Sequence, residues 1–149
     1  MITFIRTNFS NPDFNKLIIE LDKEFVVRYP FLEYVSASFN LMNEQARVVV
    51  VYDHSIPIGC GAFRPVDETT IEIKRMYTMP AYRNQGIGKQ VLKELEKWAR
   101  REGFTTSLLE TGINQPEAIA AYQKTGYTRI PNFHPYELIR ESICMKKYL

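Results

Sequence analysis

Between Thr70 and Lys89 the sequence passes from one secondary-structure period to another within a few residues, and this junction restricts the fold more than any other stretch. Thr70 to Thr78 reads as a strand. After Pro80, residues 87–102 place Ile87, Val91, Leu95, Trp98 and Ala99 on one helical face, with Gly103 in position to cap the end. The helix is entered through Arg83-Asn84-Gln85-Gly86-Ile87-Gly88-Lys89. Lacking a Cβ, Gly86 and Gly88 let a ligand approach the backbone closely. The N–H groups of the first helical turn then converge on one spot, where the helix dipole favours negative charge. A pyrophosphate suits such a spot, and Arg83 and Lys89 add positive charge around it. Two other phosphate motifs do not fit. The P-loop requires Ser or Thr after its GxxxxGK, whereas Gln90 follows Lys89; GxGxxG fails because Val91 stands at its last glycine. An ordinary glycine-containing helix entry is the competing reading.

Residues 2–6 read as a first strand, and residues 12–26 as an amphipathic helix carrying Phe14, Leu17, Ile18, Leu21 and Phe25, broken at Tyr29-Pro30. Residues 31–42 suggest a second short helix. Arg47 to Tyr52 and Ile56 to Phe63 form a hairpin around Asp53-His54-Ser55. Ser107-Leu108-Leu109 is a short buried strand. Asn114 starts a helix as its N-cap, Glu117 completes a capping box, and the helix runs to Lys124 and stops at Gly126. Tyr127 to Ile130 and Ser142 to Lys146 close the sheet around an irregular, aromatic-rich segment, 131–140. The order β-α-α-β-β-β-α-β-α-β-β predicts an α/β (α+β) fold with a mixed sheet and helices on its faces.

A chain of 149 residues suits one domain, 1–149, that folds without disulfides or a structural metal. Its net charge of +2, spread without basic runs, is too mild to point to nucleic acid or an anionic membrane as partner. No apolar run is as long as a membrane span and the N-terminus lacks a signal-peptide pattern, so a cytoplasmic protein is expected. Cys60 and Cys144 stand in no metal or redox spacing and read as buried core residues rather than nucleophiles.

Three ordered features together resemble the GNAT superfamily of acetyl-CoA-dependent N-acetyltransferases. That family's phosphate motif has Arg or Gln three residues before a Gly-x-Gly or Gly-x-Ala, and reads here as Arg83-x-x-Gly86-x-Gly88. Ile71-Glu72-Ile73-Lys74-Arg75-Met76-Tyr77 looks like its fourth strand. Asn114-x3-Ala118-x3-Tyr122-x-Lys124-x-Gly126-Tyr127 looks like its second cofactor motif. The resemblance covers nearly the whole chain and is strong from Gly59 to Tyr127. It implies a mixed, mostly antiparallel central sheet flanked by helices, acetyl-CoA as co-substrate and no metal. It also implies a V-shaped opening between the fourth and fifth strands. The pantetheine arm would pair with the fourth strand at a bulge placed at Met76, Tyr77 and Thr78. The pyrophosphate would sit on the N–H groups of Gln85 to Lys89, beside Arg83 and Asn84. Asn114 would touch the pantetheine and Tyr122 would lie near the sulfur. The acceptor is expected to be a primary amine of a small molecule or amino acid, with no nucleic acid or membrane partner, and a homodimer is allowed.

Acetyl transfer to an amine needs a neutral amine, donors to the tetrahedral oxyanion and a proton for the leaving thiolate. A backbone N–H of Met76 or Tyr77 suits the second need. Tyr122 suits the third, since a phenol is protonated at neutral pH; its competing reading is a core aromatic. Positions 114, 118 and 122 share one helical face, so Asn114, Ala118 and Tyr122 could line one groove. Glu72 interrupts the apolar Ile71 and Ile73 and faces the other side of the strand. There it is either the general base or an ion-pair partner of Lys74 or Arg75. His54 falls in a turn and reads as a solvated residue; His134 lies in the 131–140 loop and reads as a surface residue, with substrate contact or help with protons as the alternative. Glu33, Tyr34 and Phe39 stand where family members bind acceptors, with helix packing as the alternative. Lys124 reads as a phosphate contact or a helix-end cation. The rival function is a catalytically silent acetyl-CoA-binding sensor or regulatory module. A nucleotide binder lacks its P-loop, and a nucleic-acid module lacks a basic stripe.

Overall fold

The computed structural model describes residues 1–30 and 43–149. The second helix expected over 31–42, with Glu33, Tyr34 and Phe39, lies outside the described residues. Seven strands are described: β1 (Ile2–Thr7), β2 (Arg47–Asp53), β3 (Ile56–Pro65), β4 (Thr70–Thr78), β5 (Thr106–Gly112), β6 (Thr128–Ile130) and β7 (Ser142–Tyr148). They form one sheet in the order β1-β2-β3-β4-β5-β7-β6. All neighbours are antiparallel except β4 and β5, which run parallel. The helices are α1 (Pro12–Arg28), α2 (Ile87–Arg101) and α3 (Pro116–Lys124), with a 3-10 turn at Pro80–Tyr82. No helix among the described residues is long and apolar enough to cross a membrane.

Val48 to Val51 are all fully buried because β2 is covered on both faces. Val49 and Val51 join the core around Val91, Leu92 and Leu95 of α2. Val48 and Val50 join Phe14, Leu17 and Leu21 of α1. A strand enclosed in this way requires a continuous apolar run rather than alternation. Each such side chain, fully buried, contributes about 1.5–3 kcal/mol. α1 starts at Asn11, whose side chain accepts from the N–H groups of Asp13 and Phe14 at 2.9 and 3.0 Å.

Two local expectations are corrected. The cap position of α3 is Gln115, not Asn114, and no side chain caps it. Pro116 takes the first helical position, its fixed φ setting the start one residue later. Glu117 then reaches Arg28 at 3.2 Å instead of closing a capping box. β5 is also longer than Ser107-Leu108-Leu109, because β7 pairs with it through Gly112. Its polar continuation, Glu110 and Thr111, masked the strand in the sequence.

The β4–β5 ladder ends at Ile73–Leu109. Beyond it β4 continues beside β3 to Thr78, and β5 beside β7 to Gly112, so the two strands part and a cleft opens. β4 is bulged at this point. Cys60 pairs with Tyr77 but Ala62 pairs with Lys74, which leaves Arg75 and Met76 opposite Gly61. The bulge therefore begins one residue before the Met76–Thr78 stretch expected for it. Arg75 carries the left-handed backbone that makes it, with φ +59°.

Candidate active site

Two hollows meet in the cleft between β4 and β5. The larger, about 440 Å³, is walled by the end of β4, the 83–89 loop and α3. Of the residues predicted to bind a cofactor, Met76, Tyr77, Thr78, Arg83, Asn84, Gly86, Ile87, Gly88, Lys89 and Tyr122 line it. Asn84 (φ +64°) and Gly86 (φ +81°) turn the loop with left-handed backbone. The first helical bond is Gln90 N–H to the Gly86 carbonyl at 3.1 Å, so the N–H groups of Ile87, Gly88 and Lys89 precede it and have no acceptor within the helix. A Cβ on Gly88 would come no closer to the protein than 3.8 Å, at Thr78 Oγ1, so packing does not require a glycine there.

Gln85 and Asn114 are not in that wall. The Gln85 side chain turns back to the Ala81 carbonyl at 3.4 Å. Asn114 is exposed ahead of α3, its N–H donating to the Tyr29 hydroxyl at 3.2 Å and its carbonyl accepting from Arg28 at 3.4 Å. Gln115 borders the groove instead, its Oε1 held by the Gly112 N–H at 3.1 Å. Arg83 is not directed at the groove alone. Its Nη2 meets Glu24 Oε1 at 2.6 Å and its Nε donates to the Thr78 carbonyl at 2.8 Å, which ties α1 to the loop.

The smaller hollow, about 100 Å³, is lined by Glu72, Lys74, Arg75, Glu110, Thr111 and Tyr136, with Leu21 and Phe25 of α1. Met76, Gln115, Ala118 and Tyr122 border both hollows and mark their junction. Ala118 and Tyr122 thus share the helical face expected of them, without Asn114.

Glu72 is 1% exposed. Its Oε1 accepts from Arg64 Nη2 at 2.8 Å and Nε at 3.1 Å. Its Oε2 accepts from the Tyr136 hydroxyl at 2.8 Å and lies 3.6 Å from Lys74 Nζ. Lys74 Nζ donates in turn to the Tyr136 hydroxyl at 2.8 Å. Of the roles left open for Glu72, the ion pair is present, with Arg64 and Lys74; Arg75 pairs with Asp22 instead. Burial lowers the Lys74 ammonium pKa, opposed by the charges of Glu72 and Glu110. Burial first, and then the Glu72 carboxylate, push the Tyr136 phenol upward.

Glu110 enters the hollow from β5, just past the last β4–β5 pair, and its Oε2 accepts from Ser142 Oγ at 2.6 Å. The Tyr122 ring stands edge-on to Tyr127 with centroids 5.9 Å apart, so it does pack against the core as well as border the cleft. Burial pushes its phenol up to about 12, and the Glu110 carboxylate adds to the shift. Cys60 and Cys144 are buried. Burial raises both thiols, that of Cys144 to about 11, so neither supplies a thiolate at neutral pH. His54 and His134 are exposed, the latter 3.5 Å from Glu137.

Sequence reasoning missed Glu24, Glu110, Gln115 and Tyr136. Glu110 follows the apolar Leu108-Leu109 but begins a polar stretch with Thr111, so it read as the end of the strand. Gln115 was hidden behind Asn114, which looked like the better cap. Tyr136 and Glu24 gave no local signal, because their roles depend on contacts distant in sequence.

The family model described as "Acetyltransferase (GNAT) family" matches residues 14–127. The IAA acetyltransferase of Azospirillum brasilense is 34% identical over 141 residues, spanning 90% of this chain and 89% of its own length. A structure from Klebsiella pneumoniae assigned as an acyl-CoA N-acyltransferase superposes with a TM-score of 0.83 at 30% identity, covering 100% of this chain and 98% of that one. A GNAT family acetyltransferase from Elizabethkingia anophelis, solved with acetyl-CoA bound, shares the fold with a TM-score of 0.72 at 20% identity, covering 99% and 98% of the two chains.

Proposed function

The chain belongs to the GNAT acetyltransferase family and is an acyl-CoA-dependent N-acyltransferase, and we propose that, as a single domain, it moves acetyl from acetyl-CoA to a primary amine of a small molecule or amino acid by direct attack. One observation carries this reading: two hollows meet at Met76, Gln115, Ala118 and Tyr122, where β4 and β5 part. The larger would hold the cofactor and the smaller the amine, so that nucleophile and thioester meet at the junction. The bound acetyl-CoA of the Elizabethkingia relative supports the choice of cofactor. Its pyrophosphate would rest on the first-turn N–H groups of Ile87, Gly88 and Lys89, and its pantetheine would run along Met76 to Thr78.

In the proposed reaction the neutral amine attacks the thioester carbonyl carbon. The oxyanion accepts the N–H of Met76 or Tyr77 at the bulge. The amine's proton passes to a carboxylate, and collapse breaks the carbon–sulfur bond while Tyr122 protonates the departing sulfur. Both Glu72 oxygens are engaged, by Arg64 and Tyr136. We assign proton acceptance to Glu110, which enters the smaller hollow just past the last β4–β5 pair, and give Glu72 the task of holding Lys74 and Tyr136 in the wall. The buried cysteines favour direct attack over an acyl-cysteine intermediate.

The test is a thiol-release screen with acetyl-CoA over polyamines, amino acids, aminoglycosides and peptides, run beside calorimetric titration with CoA. Binding of CoA and thiol release with at least one amine are expected. CoA binding with no release from any amine would leave the silent sensor, and no CoA binding would overturn the reading.

A further inference from the structure

The bulge in β4 is built from parts that β4 does not supply alone. Arg75 has φ +59°, a backbone region that non-glycine residues avoid and occupy only where the surroundings fix it. Among the described residues, three features help to fix it. Arg75 Nη1 donates to Asp22 Oδ1 of α1 at 2.9 Å, with the two side chains only 3% and 18% exposed. Cys60 Sγ donates to the Arg75 carbonyl at 3.4 Å. Gly61 leaves the space that Met76 fills, since a Cβ there would collide with the Met76 thioether and with Val91.

Without the bulge, every residue of β4 after Lys74 would change face. Met76 would leave the junction of the hollows, and Tyr77 would leave the core it shares with Phe14 and Leu17. Asp22 follows the buried Leu21 on α1, and its side chain is only 18% exposed, where an unpaired acid is unfavourable. Its carboxylate faces the arginine of the bulge.

We infer that Asp22 is a positioning residue for acetyl transfer: by holding Arg75 it fixes the bulge whose N–H groups meet the thioester carbonyl. This rests on the acetyltransferase reading for its consequence, though the tether itself does not. The cofactor's pyrophosphate would be held away from the bulge, by the 83–89 loop at the start of α2. Loss of the tether should therefore slow the chemical step and spare cofactor binding.

Asp22→Asn keeps the shape and removes the charge, and Asp22→Glu keeps the charge on a longer stem. For both, three quantities are measured: kcat and the acetyl-CoA KM from thiol release, the melting temperature, and amide hydrogen exchange over residues 74–78. Asp22→Asn should exchange faster at Arg75 to Tyr77. Its kcat should fall by about 10-fold to about 100-fold, the loss expected when reacting groups are misplaced by about 1 Å. The acetyl-CoA KM should stay within about twofold, and Asp22→Glu should recover part of the loss. Unchanged exchange in Asp22→Asn overturns the tether whatever the turnover. Faster exchange with wild-type kcat, or kcat lost only in step with cofactor affinity, overturns the positioning role. A wild-type protein that acetylates no amine counts against the acetyltransferase reading, and the exchange comparison still decides the tether.

Discussion

The Tyr136 hydroxyl donates to Glu72 Oε2 at 2.8 Å inside the smaller hollow. The bond joins β4 to the irregular 131–140 segment, and with Arg64 on Oε1 it leaves Glu72 bonded at both oxygens. Glu72→Gln would remove the negative charge between Arg64 and Lys74 and leave two cations confronting each other in a buried site. Breaking a buried pair from one side costs about 3–5 kcal/mol. At this chain length that lowers Tm by on the order of 10 °C. Thermal unfolding at neutral pH measures it. An unchanged Tm would mean that the network contributes nothing to the fold and would return Glu72 to the list of bases.

Glu110 should behave in the opposite way. Glu110→Gln keeps an acceptor for Ser142 Oγ, and thermal unfolding checks that the fold is retained. Loss of a general base should lower turnover by about 10²-fold near neutral pH. The deficit should shrink as pH rises, because more of the amine is then neutral without help. CoA affinity, measured by calorimetry, should not move, since the residue lines only the smaller hollow. A Gln variant with wild-type turnover at neutral pH removes Glu110 from the proton path.

The two loop glycines make unequal tests of phosphate binding. Gly86 has φ +81°, so any side chain there strains the backbone before a ligand is considered. Gly88 has ordinary backbone, and a new Cβ would stand 3.8 Å from its nearest neighbour. Gly88→Ala should therefore melt like the wild type and yet bind CoA at least about 10-fold more weakly, because the methyl group occupies the approach to the first-turn N–H groups. Wild-type affinity in this variant would place the pyrophosphate elsewhere.

The architecture was legible in the sequence wherever one residue type did one job. The β-branched run of β2, the apolar face of α2 and the paired glycines each answer to a single local requirement. Reading stopped where two requirements met. Asn114 is a good N-cap by type, but Pro116 sets the helix start by geometry, so Gln115 became the residue at the junction. Glu72 stands out of an apolar strand as a catalytic acid would, yet Arg64, its partner on β3, is the next strand's residue at the paired position. The bulge begins a residue before the stretch expected for it, and Arg75, which makes it, is held by Asp22 far away on α1, a contact that no strand pattern reports.

Tyr122 gives the sharpest test of the chemistry. It borders both hollows, and its ring packs edge-on to Tyr127. Tyr122→Phe preserves that packing and removes only the hydroxyl, so the fold should survive. Burial pushes the phenol up to about 12. A raised phenol pKa keeps the proton in place at all lower pH values, so the donor is present throughout the working range and is lost only as pH rises through that value. General acid catalysis contributes about 10²–10⁴-fold, and a thiol, being fairly acidic already, needs the least help, so a fall of about 10²-fold in kcat is expected. The ratio of wild-type to mutant turnover should be flat from about pH 7 to about pH 10, because the phenol does not titrate there. CoA affinity should stay within about twofold, since the hydroxyl acts while the sulfur departs. Steady-state thiol release across that range, with calorimetry of CoA, measures all three. Turnover equal to the wild type would leave Tyr122 as a packing residue, and turnover lost together with CoA affinity would make it a binding residue.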